Sequence, residues 1–249
     1  MRVVLVTGAA GGLGRAVARR LAADGALVAV SDRSPSRELD LLAEEIGGFA
    51  VPADVADPEA VREMAAAVEE RAGAPIEVLV ANAAYMTMAP FAEHDPDDWW
   101  RIVDTNLGGT FACVQAVLPG MRARGGGHMV FVASEWGIIG WPGAGAYAAS
   151  KAGLISLAKT LGRELAPEGI VVNAIAPSVI DTPQLEVDAR AAGVSSEEIR
   201  RRYAERVPLG RIAAPEEIAA AVAHLTDPRM SSLVGQVIHV NGGTTRARA

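Results

Sequence analysis

Val3-Val4-Leu5-Val6-Thr7-Gly8-Ala9-Ala10-Gly11-Gly12-Leu13-Gly14 decides the fold. Four consecutive apolar residues read as a buried strand, and the glycine-rich stretch that follows opens a helical pattern over about 12–24. A second apolar run, about 26–31, ends at Asp32, 18 residues after Gly14. Glycines in a first strand-to-helix turn let the backbone bend tightly and approach a pyrophosphate, whose charge the helix N-terminus holds. An acid closing the second strand binds the hydroxyls of an adenosine ribose. The spacing therefore points to a dinucleotide site built from Gly8, Gly12, Leu13, Gly14 and Asp32.

The same alternation continues outward from this unit. Further apolar runs lie at about 48–51, 77–81, 128–133, 169–175 and 235–240, with helical patterns at about 36–47, 58–72, 97–123, 146–166 and 215–226. Most runs lack polar alternation, as parallel strands covered on both faces do. Ser34-Pro35, Asp57-Pro58 and Asp95-Pro96 each read as a capping side chain before proline at a first helical position. Repeated strand–helix units predict a doubly wound parallel α/β sheet of Rossmann type, with helices on both faces. No linker or charge block divides the chain, so a single domain over 1–249 is expected. Segment 178–210 breaks the pattern: it begins Pro177-Ser178, contains Pro183 and Pro208, and carries a polar helical stretch from Ser195 to Arg206. An insertion there lies beyond the carboxyl ends of the strands, where α/β ligands bind, and is expected to be a mobile substrate lid.

Composition narrows the function. The 249 residues are 50% hydrophobic and 21% charged, which excludes a disordered chain. Thirty acidic against 23 basic residues give a net charge of −7, which argues against nucleic acid or an anionic membrane as main partner. No apolar run reaches membrane-spanning length. The strand pattern starts at Arg2, leaving no room for a signal or transit peptide, so a cytoplasmic protein is expected. The lone Cys113 excludes an intramolecular disulfide and reads as a buried thiol on a helix. Four histidines, His94, His128, His224 and His239, show no metal spacing and read as surface or satisfied; no metal is expected.

Among the 23 basic residues only Lys151 and Lys159 are lysine. A chain that uses arginine so heavily and keeps a lysine at 151 focuses attention on Tyr147-Ala148-Ala149-Ser150-Lys151. Positions i and i+4 share a helix face. An ammonium near a phenol favours the phenolate and lowers its pKa, which makes Tyr147 a candidate general acid/base. Ser134 ends the fifth strand, 13 residues earlier, at the edge where a cofactor lies, and its hydroxyl can hold a substrate oxygen.

These motifs, in this order, resemble the short-chain dehydrogenase/reductase family in its compact branch. The likeness covers essentially the whole chain. Thr7-Gly8-x-x-x-Gly12-x-Gly14 is similar to the family's cofactor loop, and Asn106, within Thr105-Asn106-Leu107, matches its active-site asparagine. The resemblance implies that Ser134 orients a carbonyl or carbinol oxygen and Tyr147 exchanges its proton. Lys151 would bind the nicotinamide ribose and lower the tyrosine pKa, and Asn106 would hold a water linking that lysine to solvent. Pro177-Ser178-Val179-Ile180-Asp181-Thr182 resembles the segment that meets the nicotinamide amide, through the Ile180 backbone and Thr182. Two departures bear on pocket shape: Ala81-Asn82-Ala83-Ala84 stands where the family has Asn-Asn-Ala-Gly, and Ser178 stands where glycine is usual. Asn82 and Ala83 still match, so a role in stabilising the backbone survives.

Asp32 repels a 2′-phosphate, so NAD is the expected cofactor; Arg33, which can reach toward a phosphate, keeps NADP as the alternative. Asp54, with Val55 beside it, either caps a turn or contacts adenine. Tyr85, Met86, Trp136, Trp141 and Leu185 flank the motifs and suggest an apolar substrate pocket, with the two tryptophans equally open to a packing role. Glu135 faces either substrate or solvent. The expected function is hydride transfer between NAD and a secondary alcohol or ketone, with a hydrophobic cyclic or aryl small molecule as substrate. The alternatives are an NADPH-dependent ketoreductase of 3-oxoacyl type and a non-catalytic dinucleotide sensor. The resemblance further implies a homotetramer, with helices near 97–123 and 146–166 at one interface and the strand near 235–240 at another. Trp99, Trp100, Phe111 and Val114 are a large apolar surface for a helix that also faces the sheet.

Overall fold

A computed structural model describes residues 1–245. Seven strands form one parallel sheet: β1 (Val3–Thr7), β2 (Leu27–Ser31), β3 (Phe49–Ala50), β4 (Val78–Ala81), β5 (Gly127–Val132), β6 (Ile170–Pro177) and β7 (Val237–Val240). Their order is β3-β2-β1-β4-β5-β6-β7. The chain winds outward from β1 to one edge, then returns to lay β4 on the other side of β1. The direction of winding reverses between β1 and β4, and the carboxyl ends of these two strands flank the crevice that results. Register follows the apolar pattern: Leu5 stands opposite Ala29 on one side and Leu79 on the other.

Because side chains alternate across a strand, each central strand feeds two cores. Val3 and Leu5 face one, with Val61, Met64 and Val68 of α3 (Pro58–Ala72) and Val117 and Met121 of α5 (Gly109–Arg124). Leu154 of α7 (Gly145–Leu165) closes that side. Val4 and Val6 face the other, with Val17 and Leu21 of α1 (Gly12–Ala23), Leu39 and Leu42 of α2 (Arg37–Glu45), and Ile218 and Val222 of α10 (Pro215–Leu225). Asp57 and Asp95 cap as expected, accepting from Glu59 N and Asp97 N. Ser34 does not: the residue that caps α2 is Ser36, whose hydroxyl accepts from Leu39 N, because the helix begins at Arg37.

The expected 97–123 helix is two helices. α4 (Pro96–Val103) and α5 are joined without a break by a π turn over Asp104–Gly108, whose buried residue is Asn106. A π turn inserts one residue and redirects the helix face, a device that simple 3.6-residue periodicity hides. Val114 turns into the core, whereas Trp100 and Phe111 are 61% and 53% exposed. The short α6 (Trp136–Ile139) follows β5 and was not legible in the sequence. Segment 178–210 holds two helices rather than one, α8 (Gln184–Ala191) and α9 (Ser196–Ala204). They enclose a small core of their own from Leu185, Ala189 and Ile199. A parallel bridge between Ile180 and Ala213 closes the segment at its neck. Among the described residues no helix is long and apolar enough to cross a membrane.

Candidate active site

The crevice at the carboxyl ends of β1 and β4 opens into a cleft of about 820 Å³. Its first wall is the glycine loop. Gly8 has a φ of +66°, and a Cβ there would stand 2.8 Å from Ala83 Cα, so only glycine is unstrained. Gly8, Gly12 and Leu13 line the cleft. Gly14 is not among the lining residues: a Cβ on it would stand 2.2 Å from the Gly8 carbonyl oxygen, so its smallness lets the helix meet the loop. Asn82 fastens the loop from the neighbouring strand end, its Nδ2 donating to the Thr7 and Gly8 carbonyls at 2.9 and 3.0 Å. The Thr7 hydroxyl accepts in return from the backbone of Asn82 and Ala83, both at 3.1 Å.

These residues fit a dinucleotide. No side chain caps the N-terminus of α1, and its first turn carries no acid, so its free N–H groups face the loop with nothing competing for an anion. Asp32 lines the cleft and accepts from two backbone donors, Ala10 N at 2.9 Å and Arg33 N at 2.8 Å. These two donors fix the carboxyl group, which retains lone pairs for further donors. Arg33, Asp54, Val55 and Ala83 line the cleft beside it. Asp54 also caps a turn, accepting from Ala56 N, so the two readings of this residue are compatible. Pro177, Ile180 and Thr182 line the cleft, as does Ala84.

Ser134, Tyr147 and Lys151 share the cleft floor. Ser134 follows β5, and its hydroxyl accepts from Trp136 N at 3.2 Å. Lys151 is only 2% exposed. Its Nζ donates to the Val132 carbonyl at 2.7 Å and lies 5.4 Å from the centre of the Tyr147 ring. Burial pushes the ammonium down to about 7. Burial also pushes the Tyr147 phenol up to about 12, against the pull of its hydrogen bond with Ser134. In the protein alone desolvation thus outweighs that bond, and the phenolate is disfavoured.

Asn106 is buried and does not line the cleft. Its Oδ1 accepts from Tyr85 N at 2.8 Å, and its Nδ2 donates to the Tyr85 carbonyl and to the Ser150 hydroxyl at 3.1 and 3.0 Å. Ser150 in turn donates to the Tyr147 carbonyl at 2.7 Å. The π turn aims Asn106 so that one amide joins the segment after β4 to the first turns of α7.

On the substrate side, Tyr85, Met86, Trp136 and Leu185 line the cleft. Trp141 does not. It stacks on Trp136 at 4.9 Å and 7°, and the Arg206 guanidinium also lies over its ring, 4.9 Å from the centre. Trp136 meets Tyr147 edge-on at 5.9 Å. Leu185 is mostly spent in the core between α8 and α9. Sequence reasoning missed Arg101, whose guanidinium stacks on the Tyr85 ring at 4.1 Å, and the pair Asp188 and Tyr203. Tyr203 donates to Asp188 Oδ2 at 3.2 Å. A tyrosine on an otherwise polar helix was the available signal. Glu135 faces neither substrate nor solvent; it is buried and bonded to Ser178 and Thr244.

The histidines divide differently from expectation. His239 is bonded to Thr245, but the buried ring nitrogens of His94 and Nε2 of His128 find no partner among the described residues. Burial pushes His128 below the usual histidine range. Cys113 is buried, its thiol pushed up to about 12, which disfavours the nucleophilic thiolate.

Residues 8–245 match the family model described as Enoyl-(Acyl carrier protein) reductase. The chain is 36% identical over 244 residues to the 3-oxoacyl-acyl-carrier-protein reductase FabG of Staphylococcus aureus, covering 96% of both chains. It is 38% identical over 247 residues to the protein of the same name from Thermotoga maritima, covering 97% of both. It is 35% identical to Nodulation protein G of Azospirillum brasilense over 247 residues, again 97% of both.

Proposed function

This chain belongs to the short-chain dehydrogenase/reductase family of NAD(P)-dependent oxidoreductases, and we propose that within it the chain interconverts a 3-oxoacyl-type ketone and its secondary alcohol, with NAD as partner. The observation that carries this reading is the meeting of Ser134, Tyr147 and Lys151 on one cleft floor beside the glycine loop. The names of the relatives favour the 3-oxoacyl substrate over the cyclic or aryl alcohol expected from the sequence. Trp136 on the cleft wall is the observation that keeps the aryl reading as the second choice.

The bound dinucleotide supplies the carbon centre that accepts or gives the hydride. The protein supplies the rest. Ser134 donates to the substrate oxygen and holds it beside the Tyr147 hydroxyl. In reduction the phenol gives its proton to that oxygen; in oxidation the phenolate removes the carbinol proton. Lys151 would bind the ribose, and in its ammonium form it favours the phenolate. Asn106 fixes the geometry through Ser150 and the Tyr85 backbone. Asp32 takes the adenosine ribose diol and repels a 2′-phosphate, while Arg33 is the group that would soften that preference. The helices of 178–210 act as the lid, bringing Leu185, Asp188 and Tyr203 over the substrate.

The test is a panel of 3-oxoacyl thioesters, cyclic ketones and aryl alcohols, followed by nicotinamide absorbance with each dinucleotide. Turnover of 3-oxoacyl thioesters at the highest kcat/KM supports the proposal. Preference for an aryl alcohol replaces its substrate half, and tight dinucleotide binding with no turnover reopens the sensor reading.

A further inference from the structure

We propose that Glu135 is a positioning residue that anchors both ends of the 178–210 segment to the strand end carrying Ser134. The inference rests on the oxidoreductase reading only for its consequence in catalysis; the anchor itself is a matter of geometry.

Glu135 is 4% exposed. Its backbone N–H donates to the Pro177 carbonyl at 2.9 Å, and its Oε1 accepts from the Ser178 hydroxyl at 2.6 Å. Main chain and side chain thus grip two successive residues at the end of β6, immediately before the neck formed by Ile180 and Ala213. The other carboxylate oxygen accepts from the Thr244 hydroxyl. Thr244 also lies within reach of the Asn241 carbonyl, and because a hydroxyl has one proton that contact competes with its bond to Glu135.

Thr244 ends a turn that reaches the other side of the segment. Leu209 N donates to the Gly242 carbonyl at 3.1 Å, and a Cβ on Gly242 would stand 2.4 Å from Val207 Cγ1. The turn is therefore packed against 207–209, where the segment returns to the body. One buried carboxylate consequently fixes the outgoing end through Ser178 and the returning end through Thr244. It does so next to Ser134 in the chain and next to the cofactor-facing Ile180 and Thr182. A buried carboxylate needs its donors, so the arrangement is self-enforcing: releasing either hydroxyl leaves an acceptor unsatisfied. Ser178 is also one of the chain's departures from its family pattern, and this bond gives its hydroxyl a purpose.

The experiment uses the full chain with Ser178→Ala, Thr244→Val and Thr244→Ser, and adds Glu135→Gln if it folds. Amide hydrogen exchange is followed without ligand, and dinucleotide KM and kcat are measured separately. Losing one hydroxyl bond to a buried carboxylate should speed exchange at 178–183 and 207–213 by about tenfold. The central strands should exchange as in wild type. Dinucleotide KM should rise about fivefold or more with a smaller change in kcat, and Thr244→Ser should restore both readouts. Unchanged exchange in both Ser178→Ala and Thr244→Val overturns the anchor. So does Thr244→Ser behaving like Thr244→Val, since packing rather than the hydroxyl would then matter. A wild-type chain that binds no dinucleotide overturns the functional reading instead, and the exchange comparison still decides the anchor.

Discussion

Lys151 Nζ lies 5.4 Å from the centre of the Tyr147 ring and is bonded to the Val132 carbonyl, and burial displaces both titrations toward the uncharged forms: the lysine down to about 7, the phenol up to about 12. The protein alone therefore holds the pair in uncharged forms over much of the alkaline range. The phenolate that alcohol oxidation needs is therefore scarce near neutral pH in the protein alone.

This arrangement gives the two directions opposite pH dependence. Oxidation needs deprotonated Tyr147, so its kcat/KM should climb from about pH 7 to 10, by up to roughly tenfold per unit. Reduction needs the protonated phenol, which is already present, so its rate should stay level or fall over the same range. Initial rates in both directions across pH check this; oxidation that slows as pH rises would contradict it.

Lys151 should cost stability where it is charged. Its folded value of about 7 lies below the ordinary 10.5, so between these the unfolded chain binds a proton that the folded chain does not. Stability contributed by this group therefore rises with pH through that window and is lowest below it. Lys151→Met should be more stable than wild type near pH 6 by roughly 1–3 kcal/mol, after the lost bond to Val132 is counted. The advantage should shrink toward pH 10, and activity should be lost. Denaturant melts at several pH values check the sign. Lys151→Arg keeps a charge but changes reach and donor geometry, so its turnover should fall as well.

The proposed preference for NAD turns on Asp32, which accepts from Ala10 N and Arg33 N. The wild type should show at least about tenfold higher kcat/KM with NAD than with NADP, the factor that corresponds to ~1.4 kcal/mol. Asp32→Ala should shrink or invert that ratio, because Arg33 then meets the 2′-phosphate unopposed. Comparable efficiencies in the wild type would mean that Arg33 outweighs Asp32.

Trp100 and Phe111 leave a large apolar surface on α4 and α5, and a homotetramer that covers them is the expected assembly. Light scattering at micromolar concentration should return four copies. Trp100→Glu with Phe111→Glu should dissociate the assembly without unfolding the chain. A stable wild-type monomer contradicts it.

Much of this was legible in the sequence because it is local. Val3–Val6, the glycines after Thr7 and the acid at Asp32 announce a strand, a turn and a second strand end, and the structure places them at the reversal between β1 and β4. Tyr147 and Lys151 share a face because i and i+4 do on any helix. What stayed hidden depends on tertiary distance. The π turn at Asn106 leaves no periodic trace, and Glu135 is defined by Ser178 and Thr244, the latter 109 residues away. Trp141 looked like pocket and proved to stand behind Trp136, since stacking order cannot be read from spacing. Ser34 looked like a cap because proline follows it, yet Ser36 captured the helix start. Desolvation of the Tyr147–Lys151 pair follows from enclosure by β5 and α7, which spacing alone cannot weigh.

The most direct test of the account is the turnover of Tyr147→Phe, measured beside its fold and its affinity for NAD. The substitution keeps the ring that meets Trp136 edge-on and removes only the hydroxyl. Proton transfer by a positioned side chain contributes about 10²–10⁴-fold. The variant should therefore fold as wild type, bind NAD comparably and lose turnover by at least the lower of these factors. A folded Tyr147→Phe protein that turns over substrate near the wild-type rate would contradict the assignment of Tyr147 as the acid/base.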